Sequence, residues 1–465
     1  MPVSSETLNH PIDPAAPELQ LLLDDLQGNI LKGHGRDHTT NIFLRFDPAK
    51  RASVKDEIRR IGGFVLSASQ QFEQNARFKL LNEPGGTVVF FFLSSKGYAA
   101  LGIAGPPDPK FQAGLEASRA ILADPARDQW EAQFRGEVHA MLLVASDSLT
   151  QMGNFGARMT QGFEAAGIHI LGRDAGHALR RSMNDPQSKK NPGIEHFGYV
   201  DGRSQPLFLT TDVQGEDDRG GIDKWDPSAG PGELVLVRDP HGQFEDSYGS
   251  YFVYRKLEQN VRAFKAREGE EADEQDGLAE ALGLQGEDRE RAGALVVGRF
   301  EIGSPVTVAD EADEDSPDPA INNFNYDDDP GSRCPLHAHI RVTNPRERHN
   351  RAFLMARRGI PYGERSVRDI EEETIAPEGG VGLLFMAYNK VIAQQFEATQ
   401  IAANKAARFD GVLGSAHAPH TPQQWPTEYN DPTAATKAFD FGGFVEMKGG
   451  EYFFAPSRSF LRTLS

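Results

Sequence analysis

The run EVHAMLLVASDSLTQMGNFGARMTQGFEAAGIHIL, Glu137 to Leu171, decides the fold. Its opening, Glu137 to Val144, is apolar and rich in strand formers, and reads as a β-strand. From Ser148 to Phe163 the apolar residues Leu149, Met152, Phe155 and Met159 recur every three or four positions, which puts them on the inward face of one helix. Gly167 to Leu171 returns to strand character. The order strand, helix, strand is a split βαβ unit, a part of ferredoxin-like plans.

Upstream the same order occurs once. Asn41 to Phe46 reads as a short strand, the next segment as a helix with Val54, Ile58 and Ile61 on one face, and Thr87 to Leu93 as a strongly β-prone run. Before these, Leu19, Leu22, Leu23, Leu26 and Ile30 predict one amphipathic helix, stopped by Gly33 and Gly35. The connections are too irregular for a doubly wound sheet. The expected class is therefore α+β, an antiparallel sheet covered by helices on one face.

In the second half, strands are expected at Glu233 to Val237, Ala338 to Val342, Gly379 to Met386 and Gly442 to Met447, with a long helix from Lys390 to Ala407. Element order alone suggests a second copy of the first plan, since no residue-by-residue repeat is visible. Between the halves, Asp212 to Asp329 is rich in Asp, Glu and Gly and includes AREGEEADEQDG and DEADEDSPDP, read as solvated surface.

The chain has 465 residues, 68 acidic against 49 basic, for a formal charge of −19. Such a surface should repel the phosphates of nucleic acids and anionic membranes, which leaves small molecules or cationic partners. With hydrophobic residues at 38% and 29 phenylalanines, the composition is that of a globular protein. Cys334 is the single cysteine, so neither an intrachain disulfide nor a cysteine metal cluster is expected. That suits a reducing cytoplasm. No apolar run reaches the ~18 residues of a membrane span, and the N-terminus has no leader pattern, so a soluble, unexported protein is expected. A homo-oligomer is compatible with all of this.

Three clusters stand out as carriers of chemistry. EHFGYVDGRSQP, Glu195 to Pro206, sets Asp201 in a glycine-punctuated turn, where an aspartate is ordinarily a turn residue. RCPLHAHIRVTNPR, Arg333 to Arg346, places His337 and His339 on one face if extended. With Cys334 they offer three metal ligands and lack an obvious fourth, and a histidine on an apolar strand is commonly just a satisfied core residue. RRGIPYG, Arg357 to Gly363, follows the apolar Phe353, Leu354 and Met355; arginines there either snorkel to the surface or, if buried, need an anionic partner.

Together the clusters resemble the dye-decolourising peroxidase family. Its GxxDG motif stands here as Gly198, Tyr199, Val200, Asp201 and Gly202, its haem-ligand motif as Ala338 to Arg346, and its following arginine as Arg357, eighteen residues beyond His339. LQGNILKGHGR (Leu26 to Arg36), GLLFMAY (Gly382 to Tyr388), QQFE (Gln394 to Glu397) and GGEYFFAPS (Gly449 to Ser457) extend the likeness almost to the C-terminus.

The resemblance implies two ferredoxin-like domains with antiparallel sheets flanked by helices, 1–215 carrying the GxxDG loop and 216–465 binding haem b and holding the acidic insert. It implies His339 as the iron ligand, with Asp201 and Arg357 on the opposite face, where a carboxylate can relay the proton of peroxide and a guanidinium can stabilise the departing oxygen. By the same likeness Asp410, in FDGVLG, is the carboxylate behind His339, with Glu397 as the alternative. Arg341, on the strand face of His339, is then the propionate partner, Asn344 is a further cofactor-binding residue, and Leu383 and Phe385 form apolar wall. His337 stands where the family commonly has a small residue, so a swapped ligand stays open, and Gly359 stands where some relatives carry an asparagine. The implied reaction uses hydrogen peroxide to oxidise bulky aromatic donors, anthraquinone-type dyes and phenols. An Asp, ordinarily titrating near ~3.9, implies an acidic optimum. Trp130, Trp225, Trp425 and Tyr388 are candidate surface relays for donors too large for the haem site. Two other readings are a haem-binding or haem-iron-releasing protein with incidental peroxidase activity, and a hydrolase holding one metal on His337 and His339.

Overall fold

A computed structural model describes residues 2–81, 83–182, 191–202, 204–269, 277–312, 321–373, 375–406, 409–419 and 421–465. Eight strands form the path of one antiparallel sheet: β1 (His38–Phe46), β2 (Val88–Ser94), β3 (Ala140–Ser146), β4 (Ile168–His177), β5 (Tyr248–Gln259), β6 (Ile360–Tyr362), β7 (Gly382–Asn389) and β8 (Val445–Ala455). Their order is β6-β7-β5-β8-β2-β3-β1-β4, and two short strands, Val237–Arg238 and Ala356–Arg357, pair with β5 and β7.

The order contains a repeat. From the far edge, the first half runs fourth, first, third, second (β4-β1-β3-β2), and the second half runs fourth, first, third, second again (β8-β5-β7-β6). The second copy expected from element order is therefore present as topology. The two sets join where Phe453 and Phe454 of β8 pair with Ser94 and Leu93 of β2, so a single sheet crosses the molecule. Every residue of β2 and β3 is buried. Because strand side chains alternate between faces, the sheet is covered on both sides there, not on one as expected.

Several local expectations are corrected. The N-terminal helix is short, Gln20–Asp25, and Leu26 is already extended. Gln27 explains the stop: its amide donates to the carbonyls of Phe91 and Pro456 and accepts from Phe91 N–H, which ties this segment to the sheet. Leu149 is 61% exposed because it is the first residue after the Ser148 cap, although Met152 and Met159 face the core. Of the strand expected at Glu233 to Val237, Glu233 and Leu234 belong to a helical turn, Pro231–Leu234, favoured by proline at the start and Glu233 three residues past the Gly230 cap, and only Val237 is strand. Ala338 to Val342 is no strand either: His339–Thr343 is a helix. The expected long helix begins as a π-turn, Ala393–Glu397, and continues as Ala398–Asn404. Parts of both acidic runs, 270–276 and 313–320, lie outside the described residues. No described helix is long and apolar enough to cross a membrane.

Candidate active site

A cavity of about 670 Å³ is bordered by Asp201, His339, Asn344, Arg357, Leu383 and Phe385, drawing its walls from both halves of the sequence. The GxxDG segment reaches it as a tight turn. Gly198 adopts φ +100°, and a Cβ there would lie 2.9 Å from the Glu301 carboxylate, so glycine is required twice over. Val200 N–H donates to the Glu301 carbonyl and Asp201 N–H to that of Gly193, both at 3.0 Å, which fixes where the aspartate emerges. Arg357 sits on the short strand paired with β7, its N–H bound to Gln205 and its guanidinium to Ser204 Oγ at 2.9 Å. Leu383 and Phe385 alternate along β7 and so share its cavity face.

The charges are arranged around a neutral imidazole. Arg357 and Asp201 approach to 3.7 Å, with the aspartate side chain 64% exposed. Burial, and secondarily Arg357, lowers His339 to about 4, which keeps its ring unprotonated at neutral pH. His337 is also buried but packs edge-on against Trp425, ring centroids 4.3 Å apart, and is not part of the cavity wall. The structure thus separates two histidines that an extended chain would have placed side by side. Among the described residues no group of three His, Cys, Asp or Glu is placed to hold a metal ion, which leaves the set Cys334, His337 and His339 without support.

A family model for the C-terminal part of Dyp-type peroxidases matches residues 231–418. The multifunctional dye peroxidase DyP2 of Amycolatopsis sp. is 41% identical over 97% of each chain. The solved structure of an Anabaena sp. DyP-type peroxidase superposes with a TM-score of 0.89 at 37% identity, covering the whole of both chains. The chain belongs to the dye-decolourising peroxidase family. The solved structure of the Amycolatopsis DyP2 agrees at a TM-score of 0.87, 39% identity and coverage of 98% of this chain and 100% of the other. The protein is accordingly a peroxidase, an oxidoreductase of a haem-dependent family.

The cavity of this dye-decolourising peroxidase suits a large, mostly apolar dianion. Its volume falls in the ~300–1,000 Å³ range of ligand sites. Arg36, Arg299, Arg346, Arg357 and Arg358 border it, against the carboxylates of Glu195 and Asp201. This local excess of positive charge runs counter to a net charge of −19. The Asn344 amide nitrogen is buried with no hydrogen-bond partner in the described structure, a donor that a bound acceptor would satisfy. Haem, with two carboxylates on an apolar macrocycle, fits these features.

Not every residue expected at the site arrives there. Arg341 is turned away: in a helix, two residues advance about 200°, so it leaves the face that His339 occupies. Its guanidinium binds the carboxylate of Asp329 at 3.1 Å and the carbonyls of Cys334 and Asp329. Glu397 is buried away from the cavity between Lys110 and Tyr452, at 2.8 and 3.0 Å. Asp410 lies in the two-residue strand Phe409–Asp410, and its side chain is outside the described part of the structure. Trp130, Trp225, Trp425 and Tyr388 are all buried, so none is the surface relay expected.

Sequence reasoning missed Arg346. It closes the motif quoted for His339, yet only the fold shows it in the cavity wall, donating to Asn322 and to the Phe324 carbonyl, with burial lowering it to about 9. These partners are neutral, so an anionic ligand would gain a charge-assisted bond of ~1.5–3 kcal/mol. Arg346→Leu is expected to weaken haem binding ten- to a hundredfold in a Soret titration, while Arg341→Leu lowers the melting temperature and shifts that affinity about twofold or less.

Proposed function

We propose that the enzyme binds haem b through His339 and uses hydrogen peroxide to oxidise phenols and bulky anthraquinone-type dyes, with Asp201 and Arg357 acting on the face of the haem opposite His339. The observation that carries this reading is the meeting of a neutral buried histidine, an aspartate and an arginine on one cavity. Bound haem supplies the iron at which peroxide is reduced and through which electrons leave the donor. Residues 1–215 form the half that carries the GxxDG turn, and 216–465 the half that holds the cofactor.

His339 offers an unprotonated ring nitrogen as ligand, kept so by burial. The Asp201 carboxylate takes the proton from the near oxygen of peroxide and returns it to the departing one. Arg357 Nη2 is held by Ser204, so its charge is in place before the departing oxygen becomes negative and need not be reorganised. Leu383 and Phe385 keep that side of the cavity dry. Support for phenolic donors comes from a relative at 27% identity and a TM-score of 0.70, solved as a dye-decolorizing peroxidase in complex with 2,6-dimethoxyphenol. A pure haem-delivery role would leave the Asp201–Arg357 pairing without a task.

The test is one absorption spectrum. Purified protein should show a Soret band that shifts within the mixing time on adding peroxide; a band that peroxide leaves unchanged contradicts the reading.

A further inference from the structure

The cavity has a side that the chemistry above does not use. Asn29, Gly33, His34, Gly35 and Arg36 of the N-terminal half border it, together with Arg358. The charges acting on His339 are those of Arg357 and Asp201, whereas those acting on His34 belong to Arg36, Arg358, Asp147 and Asp37. His34 therefore stands beside the proposed iron site, not over it.

The hydrogen bonds of this loop fix one ring. Asn29 takes a left-handed φ of 68°, and its side-chain carbonyl accepts the His34 N–H at 3.1 Å. Gln71, on the helix Ala68–Leu81, accepts the Asn29 N–H and donates to the carbonyls of Lys32 and Gly33. Arg358 donates to the carbonyls of Asn29 and Ile30 at 2.7 and 2.8 Å. The His34 ring itself is 8% exposed, and its Nδ1 accepts the Arg36 N–H at 3.0 Å. A ring nitrogen that accepts carries no proton, so the imidazole is neutral and its proton is on Nε2. Burial, with Arg36 and Arg358, lowers His34 to about 3, which keeps the ring neutral across the pH range of turnover. Nε2–H is thus a fixed donor without an acceptor among the described residues.

The positive charge beside it has neutral partners. Arg36 donates to the carbonyls of Gly86 and His34 and to Gln74, and Arg358 to those of Asn29, Ile30 and Arg357. Asp37 is paired with Arg180 at 2.8 Å and Asp147 acts on Arg36, but neither carboxylate borders the cavity. Around the whole cavity five arginines face two carboxylates, so a bound haem dianion still leaves an excess of positive charge.

We propose that this side of the cavity is a donor subsite that binds the carboxylate of an aromatic acid, with His34 Nε2–H as hydrogen-bond donor and Arg36 and Arg358 as counter-charges. The inference rests on the haem reading given above and adds a substrate class to it: phenolic acids, held by the acid end at the loop with the phenol toward the haem. A hydrogen bond to an ionised carboxylate is worth about tenfold or more in affinity. The subsite's donors are in place before the ligand arrives, so little of that gain is lost to ordering them.

The test compares 4-hydroxy-3-methoxycinnamate with its methyl ester, two phenols of one shape that differ in the carboxylate charge. With haem-loaded enzyme and saturating peroxide, kcat/KM should favour the acid at least tenfold. 4-Methoxycinnamate, which has no phenol to oxidise, should bind at least tenfold more tightly than its own methyl ester in calorimetry. His34→Phe removes the donor and keeps a flat ring beside Phe90; with the Soret band retained, both preferences should fall at least fivefold. Acid and ester within twofold of each other in wild type overturn the proposal without any variant, and so does an undiminished preference in His34→Phe. Absence of a Soret band in wild type would instead sink the haem reading; the calorimetric effect of His34→Phe needs no turnover, so the two failures are told apart.

Discussion

His339→Ala should be purified without a Soret band and should bind added haem at least a hundredfold more weakly than wild type. The argument is that His339 brings a neutral imidazole to the cavity and removing it leaves iron without its protein ligand, whereas His34, the other histidine among the described residues bordering the cavity, has its Nδ1 engaged by the Arg36 N–H. His337→Ala supplies the contrast. Its ring packs on Trp425 in the core, so the expected loss is ~1–3 kcal/mol of folding stability from a vacated aromatic contact, with the Soret band near normal. The opposite pattern, with haem lost in His337→Ala and kept in His339→Ala, would reverse the ligand assignment.

In stopped-flow mixing with peroxide, Asp201→Asn and Arg357→Leu should both slow the first spectral change, and should differ in pH dependence. An amide cannot shuttle a proton, and general acid–base help of this kind is worth ~10²–10⁴-fold. Removing Asp201 should therefore slow the step by about that factor and alter the shape of its pH profile. A guanidinium remains charged throughout the accessible range, so removing Arg357 should lower the rate at every pH with the profile's shape preserved, by ~10²–10³-fold if it acts as a typical oxyanion donor. The 3.7 Å approach between the two groups predicts that the double variant loses less than the sum, because each positions the other. An unchanged rate and profile in Asp201→Asn beside a collapsed rate in Arg357→Leu would assign the step to arginine alone.

The first half of the fold was legible because its helices and strands keep clean periods: Val54, Ile58 and Ile61 at helical spacing, and β2 and β3 as unbroken apolar runs. The site was legible as wording, GYVDG and HIRVTNPR, and less so as geometry. HIRVT reads as a strand by its β-branched residues, yet it folds as a helix; Thr343 Oγ1 donates back to the His339 carbonyl, and the turn packs on the helix Ala398–Asn404. Arg341 was misplaced by that single error of period, since residues two apart share a strand face and oppose each other on a helix. Glu268 sits in what read as a solvated acidic run, yet it is buried and accepts from the Tyr199 phenol some seventy residues away, a long-range contact that no local pattern shows. The second copy of the strand order was equally invisible by residue, because β-topology constrains pattern and leaves identity free.

The pairing of β8 with β2 has a bearing on biosynthesis. Until Val445–Ala455 has been made, Leu93 and Ser94 at the end of β2 lack their β8 partners, and an unpaired sheet edge is the kind of surface that recruits other chains. Loss of β8 is therefore expected to leave an adhesive edge, and a variant stopped before Val445 should partition mainly into the insoluble fraction on expression.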